Sequence, residues 1–177
     1  MKIYTSIPSD LPPTALTIGT FDGVHLGHRA LLKRLVAISS HATVLTFSNH
    51  PLEVLNPSQA PKLLTPLPQK LAMLEECGID AVITLPFTKE LASLSYDALL
   101  AQFPLTHLVL GAGSAFGKNR EGTPANLLRL AEARGFKLEY IEKTVLDGEI
   151  VSSRRIRSAI ADGEVKTVER LLGQGKP

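Results

Sequence analysis

An apolar run, Ala15–Gly19, leads directly into Thr20-Phe21-Asp22-Gly23-Val24-His25-Leu26-Gly27-His28. From there the chain enters a segment with Leu31, Leu32, Leu35 and Val36 on one helical face, extending from about His25 to Ser39. A strand, a turn flanked by glycines and a helix with a glycine between two histidines make the first part of a βαβ unit. That order restricts the fold more than any other stretch of the chain.

The alternation continues. Thr43–Phe47 reads as a second strand, β-branched and aromatic. Asn49 to Pro68 holds five prolines and reads as a long irregular loop. Gln69–Cys77 reads as a helix closed by Gly78, and Ala81–Leu85 as a strand. Ser95 is placed to cap a helix running to about Phe103, followed by a strand at His107–Gly111. Thr123-Pro124 opens a further helix that stops at Gly135, and Lys137–Glu142 is a strand. Asp147-Gly148 marks a turn, after which two short helices cover about Ser153–Ile160 and Val165–Leu172. Repeated strand–helix units predict one α/β domain, with a parallel sheet covered by helices on both faces. Ligands on such sheets sit beyond the carboxyl ends of the strands, which directs attention to the loops after Gly19, Phe47 and Gly111.

The Gly19–His28 stretch suits a phosphate. A helix N-terminus offers unpaired N–H groups and partial positive charge, and glycine removes the Cβ that would hold a ligand off the backbone. His25 and His28, three apart, share one face of the first turn, and each can donate an N–H to a phosphate oxygen. Two histidines so spaced also suit a metal, but no cysteine or nearby histidine completes a set, so no metal ligand is assigned. Gly111-Ala112-Gly113-Ser114-Ala115-Phe116-Gly117-Lys118 is not a Walker A loop, because Ala stands at 112 and Asn119 follows the lysine. Nor is it a dinucleotide fingerprint, since Phe116 occupies the third glycine position.

Near the end, Val151-Ser152-Ser153-Arg154-Arg155-Ile156-Arg157 opens a short helix. Ser153 is expected to cap it or to bind an anion, with Arg157 one turn on from the same face and Ile156 and Ile160 anchoring the helix in the core. Alone, the pattern fits a capped helix with a solvated basic face equally well. Beside the histidine turn, phosphate binding leads.

The 177 residues are 44% hydrophobic and 20% charged, which fits one globular domain with a substantial core. Net charge is only +2, arguing against nucleic acid as a partner. The positive charge is concentrated late: Arg154, Arg155, Arg157, Lys166, Arg170 and Lys176 face only Asp162, Glu164 and Glu169. Cys77 is the only cysteine, so no internal disulfide forms, and its place at a helix end suits an inert small side chain. The first residues contain no apolar signal region, and no run is long enough to span a bilayer. No membrane partner and a cytoplasmic setting are the expectation.

His25-x-Gly27-His28 on a strand–helix turn, with Ser152-Ser153-x-x-Ile156-Arg157 near the end, resembles the nucleotidyltransferase superfamily, with its Rossmann-like fold. TIGTFDGVHLGH, Thr46–Pro51, Phe116–Gly122, the DGEIVSS turn and GEVKTVERLLGQ are more narrowly similar to the adenylyltransferase domain of bacterial FAD synthetase, from about Ala15 to Gly173. The resemblance implies transfer of AMP from ATP to FMN, giving FAD and pyrophosphate with Mg²⁺ carried mainly on the ATP phosphates. By the same resemblance Gly19, Phe21, His25 and His28 hold the ATP phosphates and adenosine. His28 stabilises the α-phosphate in the transition state, Ser153 and Arg157 hold the β- and γ-phosphates, and Asn49, His50 and Pro51 lie near the flavin phosphate. The catalytic candidates are thus His25, His28 and Arg157. The candidate binding residues are Gly19, Thr20, Phe21, Asp22, Gly23, Gly27, Asn49, His50, Pro51, Gly111, Arg120, Ser152 and Ser153.

The chain departs from the family pattern in three ways. Gly111-Ala112-Gly113-Ser114-Ala115-Phe116-Gly117 stands where the family commonly has Gly-x-Asp-Phe-Arg-Phe-Gly. Arg154 stands where a threonine usually follows the two serines. Typical members continue into a riboflavin kinase domain, whereas this sequence stops at Pro177, so riboflavin phosphorylation is not expected of it. The altered loop keeps two alternatives open: a nucleotidyltransferase for another phosphorylated metabolite, and a silent nucleotide- or flavin-binding module.

Overall fold

The computed structural model describes residues 1–174, so Lys176 of the basic segment lies outside the described residues. Six strands form one parallel sheet: β1 (Lys2–Tyr4), β2 (Thr14–Ile18), β3 (Ala42–Phe47), β4 (Ala81–Leu85), β5 (Leu105–Gly111) and β6 (Lys137–Ile141). Their order is β1-β4-β3-β2-β5-β6, with every adjacent pair parallel. The chain builds outward from β2 through β3 to β4, then crosses over to β5 and β6 on the other side. The direction of winding therefore reverses between β2 and β5, and the loops leaving those two strands part to leave a crevice.

Neighbouring strand residues face opposite cores. Ala15, Val44, Val82 and Val109 pack with Leu31, Leu32 and Leu35 of α1 (Leu26–Ile38) and Met73 and Leu74 of α3 (Leu67–Glu76). Leu16, Leu45, Ile83 and Leu108 pack on the other side with Leu99 and Leu100 of α5 (Tyr96–Leu100) and Leu127 and Ala131 of α6 (Pro124–Arg134). Strands apolar on both faces are what a parallel sheet covered on both sides requires. A smaller third cluster joins Val151, just before α7 (Ser153–Ala161), with Ile156 of α7 and Leu171 of α8 (Val165–Leu172) to Leu26 and Leu64. No helix among the described residues is long and apolar enough to cross a membrane.

Several local expectations hold. Asp147 and Gly148 both take positive φ, the conformation an Asp-Gly hairpin turn demands, between β7 (Val145–Leu146) and β8 (Glu149–Ile150). Thr123 caps α6 and Gly135 closes it in the left-handed region.

Others are corrected. The proline-rich loop contains α2 (Leu52–Leu55) and a 3₁₀ turn at Pro57–Gln59. A helix not anticipated, α4 (Lys89–Ser93), is capped by Thr88, and the helix after Ser95 ends at Leu100. The edge strand β1 is three residues long, too short for any periodicity to announce it. Ile160 does not anchor α7: it is 54% exposed, because the buried stripe runs through Ile156 and Ala159, three apart, and Ile160 lies one step further round the helix.

Candidate active site

The turn after β2 is strained and tightly held. Phe21 (φ 48°), Gly23 (φ 89°) and Val24 (φ 38°) all lie in the left-handed region, which costs two of them the penalty of a Cβ. Full burial of the Phe21 and Val24 side chains in the core holds the conformation. Asp22, between them, is also buried and acts as a fastener. One carboxylate oxygen accepts from the N–H groups of Leu64 (2.9 Å) and Thr65 (3.1 Å), and the other is ion-paired with Arg157 of α7. Its backbone carbonyl accepts from the Ser153 hydroxyl at 2.9 Å. Ser153 and Arg157, one helical turn apart, thus both meet the turn at Asp22. The Arg157 guanidinium also donates to the Lys62 carbonyl at 3.1 Å.

His25 is the N-cap of α1, its Nδ1 accepting from the His28 N–H at 3.3 Å. That bond fixes the tautomer and leaves Nε2 as the donor. The two imidazoles stack, centroids 3.7 Å apart and planes 12° apart, with Phe21 tilted against His28 at 5.0 Å. A Cβ on Gly27 would lie 3.3 Å from the His25 ring, so glycine keeps the stack uncrowded. Burial pulls the His25 pKa down to about 4, opposed by a hydrogen bond and by Asp22. Burial, then His25 and Lys70, pushes His28 well below its ordinary value. Both rings are neutral at neutral pH and act as donors rather than cations.

These groups line a cleft of about 260 Å³ at the reversal between β2 and β5. Gly19, Thr20, Phe21, His25, Gly27 and His28 form one wall; Gly111, Ala112 and Ser114 form another, with Lys143 and Thr144 closing a third side. Of the altered Gly111–Gly117 loop, Gly111, Ala112 and Ser114 thus face this cleft.

A second cleft, about 220 Å³ and mainly apolar, lies between the ends of β2 and β3, and Ile18 borders both. Phe47, Phe87, Phe116 and Leu55 line it, and Arg120 stands at it next to Asn119, both at positive φ. Phe47 and Phe87 meet edge to face, 5.1 Å apart at 84°. Phe87 lies between β4 and α4, in a stretch without a periodic pattern, and nothing local announces it as part of this wall. Phe47, as the last residue of a strand facing a candidate loop, could have been suspected.

The remaining candidates lie outside both clefts. Asn49, His50 and Pro51 follow β3, but the Asn49 amide is committed to the Phe87 backbone, donating to its carbonyl at 3.1 Å and accepting from its N–H at 2.7 Å. His50 Nδ1 accepts from the Leu52 N–H at 3.1 Å, at the start of α2. Burial lowers the His50 pKa, and Arg157 and Lys70 add to the effect, so its ring shares their electrostatic neighbourhood. Asp22 and Gly23 do not line either cleft; Asp22 is tied inward, and Gly23 packs against Leu64. Ser152, not Ser153, caps α7, accepting from the Arg155 N–H at 3.2 Å, because Ser153 is already helical and its hydroxyl is taken by Asp22.

The family model for FAD synthetase matches residues 7–155. The bifunctional riboflavin kinase/FMN adenylyltransferase of Listeria monocytogenes is 35% identical over 167 residues, covering 89% of this chain and 53% of that protein. The chain therefore spans about half the length of the curated relatives it matches. Among solved structures, a macrolide-efflux protein from Streptococcus pneumoniae superposes with a TM-score of 0.82 at 23% identity, over 97% of this chain and 61% of that one. Pantoate-beta-alanine ligase from Francisella tularensis does so at 0.66 and 17% identity, over 99% and 80%. At those identities the likeness establishes the fold alone, an α/β fold built on a parallel sheet. With more than four-fifths of its length matched by one family model, the chain belongs to the FAD synthetase family.

Proposed function

We propose that this chain transfers the AMP group of ATP to FMN, releasing pyrophosphate and forming FAD. The observation that carries the reading is the pair of clefts meeting at Ile18, one polar and rich in glycine and histidine, the other apolar and aromatic. ATP fits the first, with its phosphates over the Gly19–His28 turn. The flat flavin ring fits the second, between Phe47, Phe87 and Phe116, and its phosphate then reaches toward the first cleft past Ile18. Family membership and the activity for which the relatives are named support FMN adenylylation as the reaction.

The chemistry needs no covalent intermediate. The FMN phosphate oxygen attacks the α-phosphorus in line, a P–O bond forms, and the bond to the β-phosphate oxygen breaks with pyrophosphate taking the electron pair. His28 and His25, as neutral donors, would stabilise charge growing on the α-phosphoryl oxygens without importing a proton that must later be returned. Ser153 and Arg157 would turn from Asp22 to the leaving phosphates, with Asp22 holding the arginine close to that task in the meantime. Mg²⁺ would enter on the ATP phosphates and spread their charge. No group of three His, Cys, Asp or Glu side chains is placed to hold a metal among the described residues, and Asp22 is already committed. A cytoplasmic setting belongs to the same reading, on the single cysteine and the substrates used.

The test is chromatographic. Purified chain with FMN, ATP and Mg²⁺ is expected to yield FAD and pyrophosphate. A parallel reaction with riboflavin and ATP tests for the kinase activity named in the relatives. Folded chain that binds ATP but forms no FAD would remove the proposal.

A further inference from the structure

Lys70 belongs to none of the motifs above, yet it sits under both clefts. It lies on the inward face of α3 beside Met73 and Leu74, at a position where helical periodicity calls for an apolar residue. Its side chain is buried, 5% exposed. The ammonium donates to the Thr20 carbonyl at 3.1 Å, the Thr46 hydroxyl at 3.1 Å and the Phe47 carbonyl at 2.7 Å. Three donors meet three acceptors, all neutral, and Thr46 itself donates to the Thr20 carbonyl at 3.1 Å.

The partners define what the contact does. Thr20 is in the glycine turn that lines the polar cleft, and Phe47 ends β3 and walls the apolar one. One residue beyond Phe47 the chain enters Ser48-Asn49-His50-Pro51. A helix needing only a filled core would take leucine or methionine here, since burying an ammonium without a counter-ion is costly. Burial draws its pKa from 10.5 to about 8, partly offset by Asp22, so the protonated form still predominates at neutral pH.

We propose that Lys70 is a positioning residue that locks the nucleotide turn to the acceptor-bearing end of β3, fixing the distance and angle between the two substrates. This rests on the function proposed above. In-line transfer is sensitive to such alignment, whereas each substrate binds mainly to its own cleft.

The experiment compares wild type, Lys70→Met and Lys70→Arg in FAD formation, with amide hydrogen exchange read on the same proteins. Lys70→Met is expected to lower kcat about a hundredfold, the cost of a misplacement near one ångström. The KM values for ATP and FMN are expected to stay within about threefold, since each cleft keeps its own contacts. Lys70→Arg, which keeps charge and donors, is expected to recover most of the loss. Exchange is expected to quicken in Lys70→Met at residues 19–23 and 48–50 but not across α6 and β6.

Unchanged kcat in Lys70→Met, or exchange unaltered in both segments, would overturn the proposal. So would a uniform rise in exchange with a loss that arginine does not repair, which would mark a residue needed only for stability. Should Lys70→Met not fold, Lys70→Gln is read in its place. Wild-type protein that forms no FAD would overturn the functional reading instead, and the exchange comparison would still decide the role of Lys70.

Discussion

Asp22 and Arg157 are 135 residues apart in sequence and ion-paired in the fold, and the pair closes α7 over the turn that follows β2. Removing the Asp22 charge should therefore loosen three segments together: the turn, the Lys62–Thr65 stretch and the start of α7. Asp22→Asn is expected to cost about 2 kcal/mol, below the range for a fully buried pair because Arg157 is partly exposed. Urea denaturation checks it, and a midpoint equal to wild type would show that the pair is not a fastener.

His28→Ala should separate catalysis from binding. A donor that acts chiefly on charge developing in the transition state is expected to cost roughly a hundredfold in kcat, with the KM for ATP changed far less. Steady-state kinetics with ATP varied at saturating FMN makes the measurement. Equal losses in both would make His28 a binding residue only.

The buried histidines impose a pH dependence on stability. His25 has a folded pKa of about 4, below its ordinary 6.5. The unfolded chain thus binds more protons between those values, and stability falls as pH falls through them. It is fully present above about 6.5 and lost on the way to about 4, an effect on the order of 3 kcal/mol for His25. His28, shifted in the same direction, adds to the slope. Thermal unfolding from pH 7 to pH 4 should show this decline, reduced in His25→Gln. An undiminished slope in that variant would assign the decline to other groups.

Gly117 has φ +77°, and a Cβ there would fall 2.5 Å from the Tyr96 backbone nitrogen. Gly117→Ala is expected to destabilise by more than about 1 kcal/mol, combining strain with a backbone clash. Because Gly117 lines the apolar cleft, the KM for FMN should rise while that for ATP stays near its wild-type value. A selective rise for ATP would contradict the assignment of the two clefts.

Local chemistry was legible in the sequence wherever a residue's role depended on its near neighbours. The Asp147-Gly148 turn, the Thr123 cap, the Gly135 terminus and the His25/His28 helix start all follow from a few adjacent residues. What escaped depends on partners far along the chain. Asp22 looks like a ligand contact until Leu64, Thr65 and Arg157 are seen around it. Lys70 looks like a solvated helix charge until Thr20 and Phe47 close over it. Two isoleucines four apart suggest one stripe through Ile156 and Ile160, and only the burial of Ala159 in the folded chain shows which side of α7 faces inward.

The most direct measurement follows the phosphorus atoms. ATP labelled at the α-phosphate, and separately at the γ-phosphate, is incubated with FMN, Mg²⁺ and the chain, and the products are separated. Label from the α-position should appear in FAD, and label from the γ-position in pyrophosphate alone. Flavin carrying the γ-label, or no labelled flavin from either ATP, would contradict nucleotidyl transfer at the α-phosphorus.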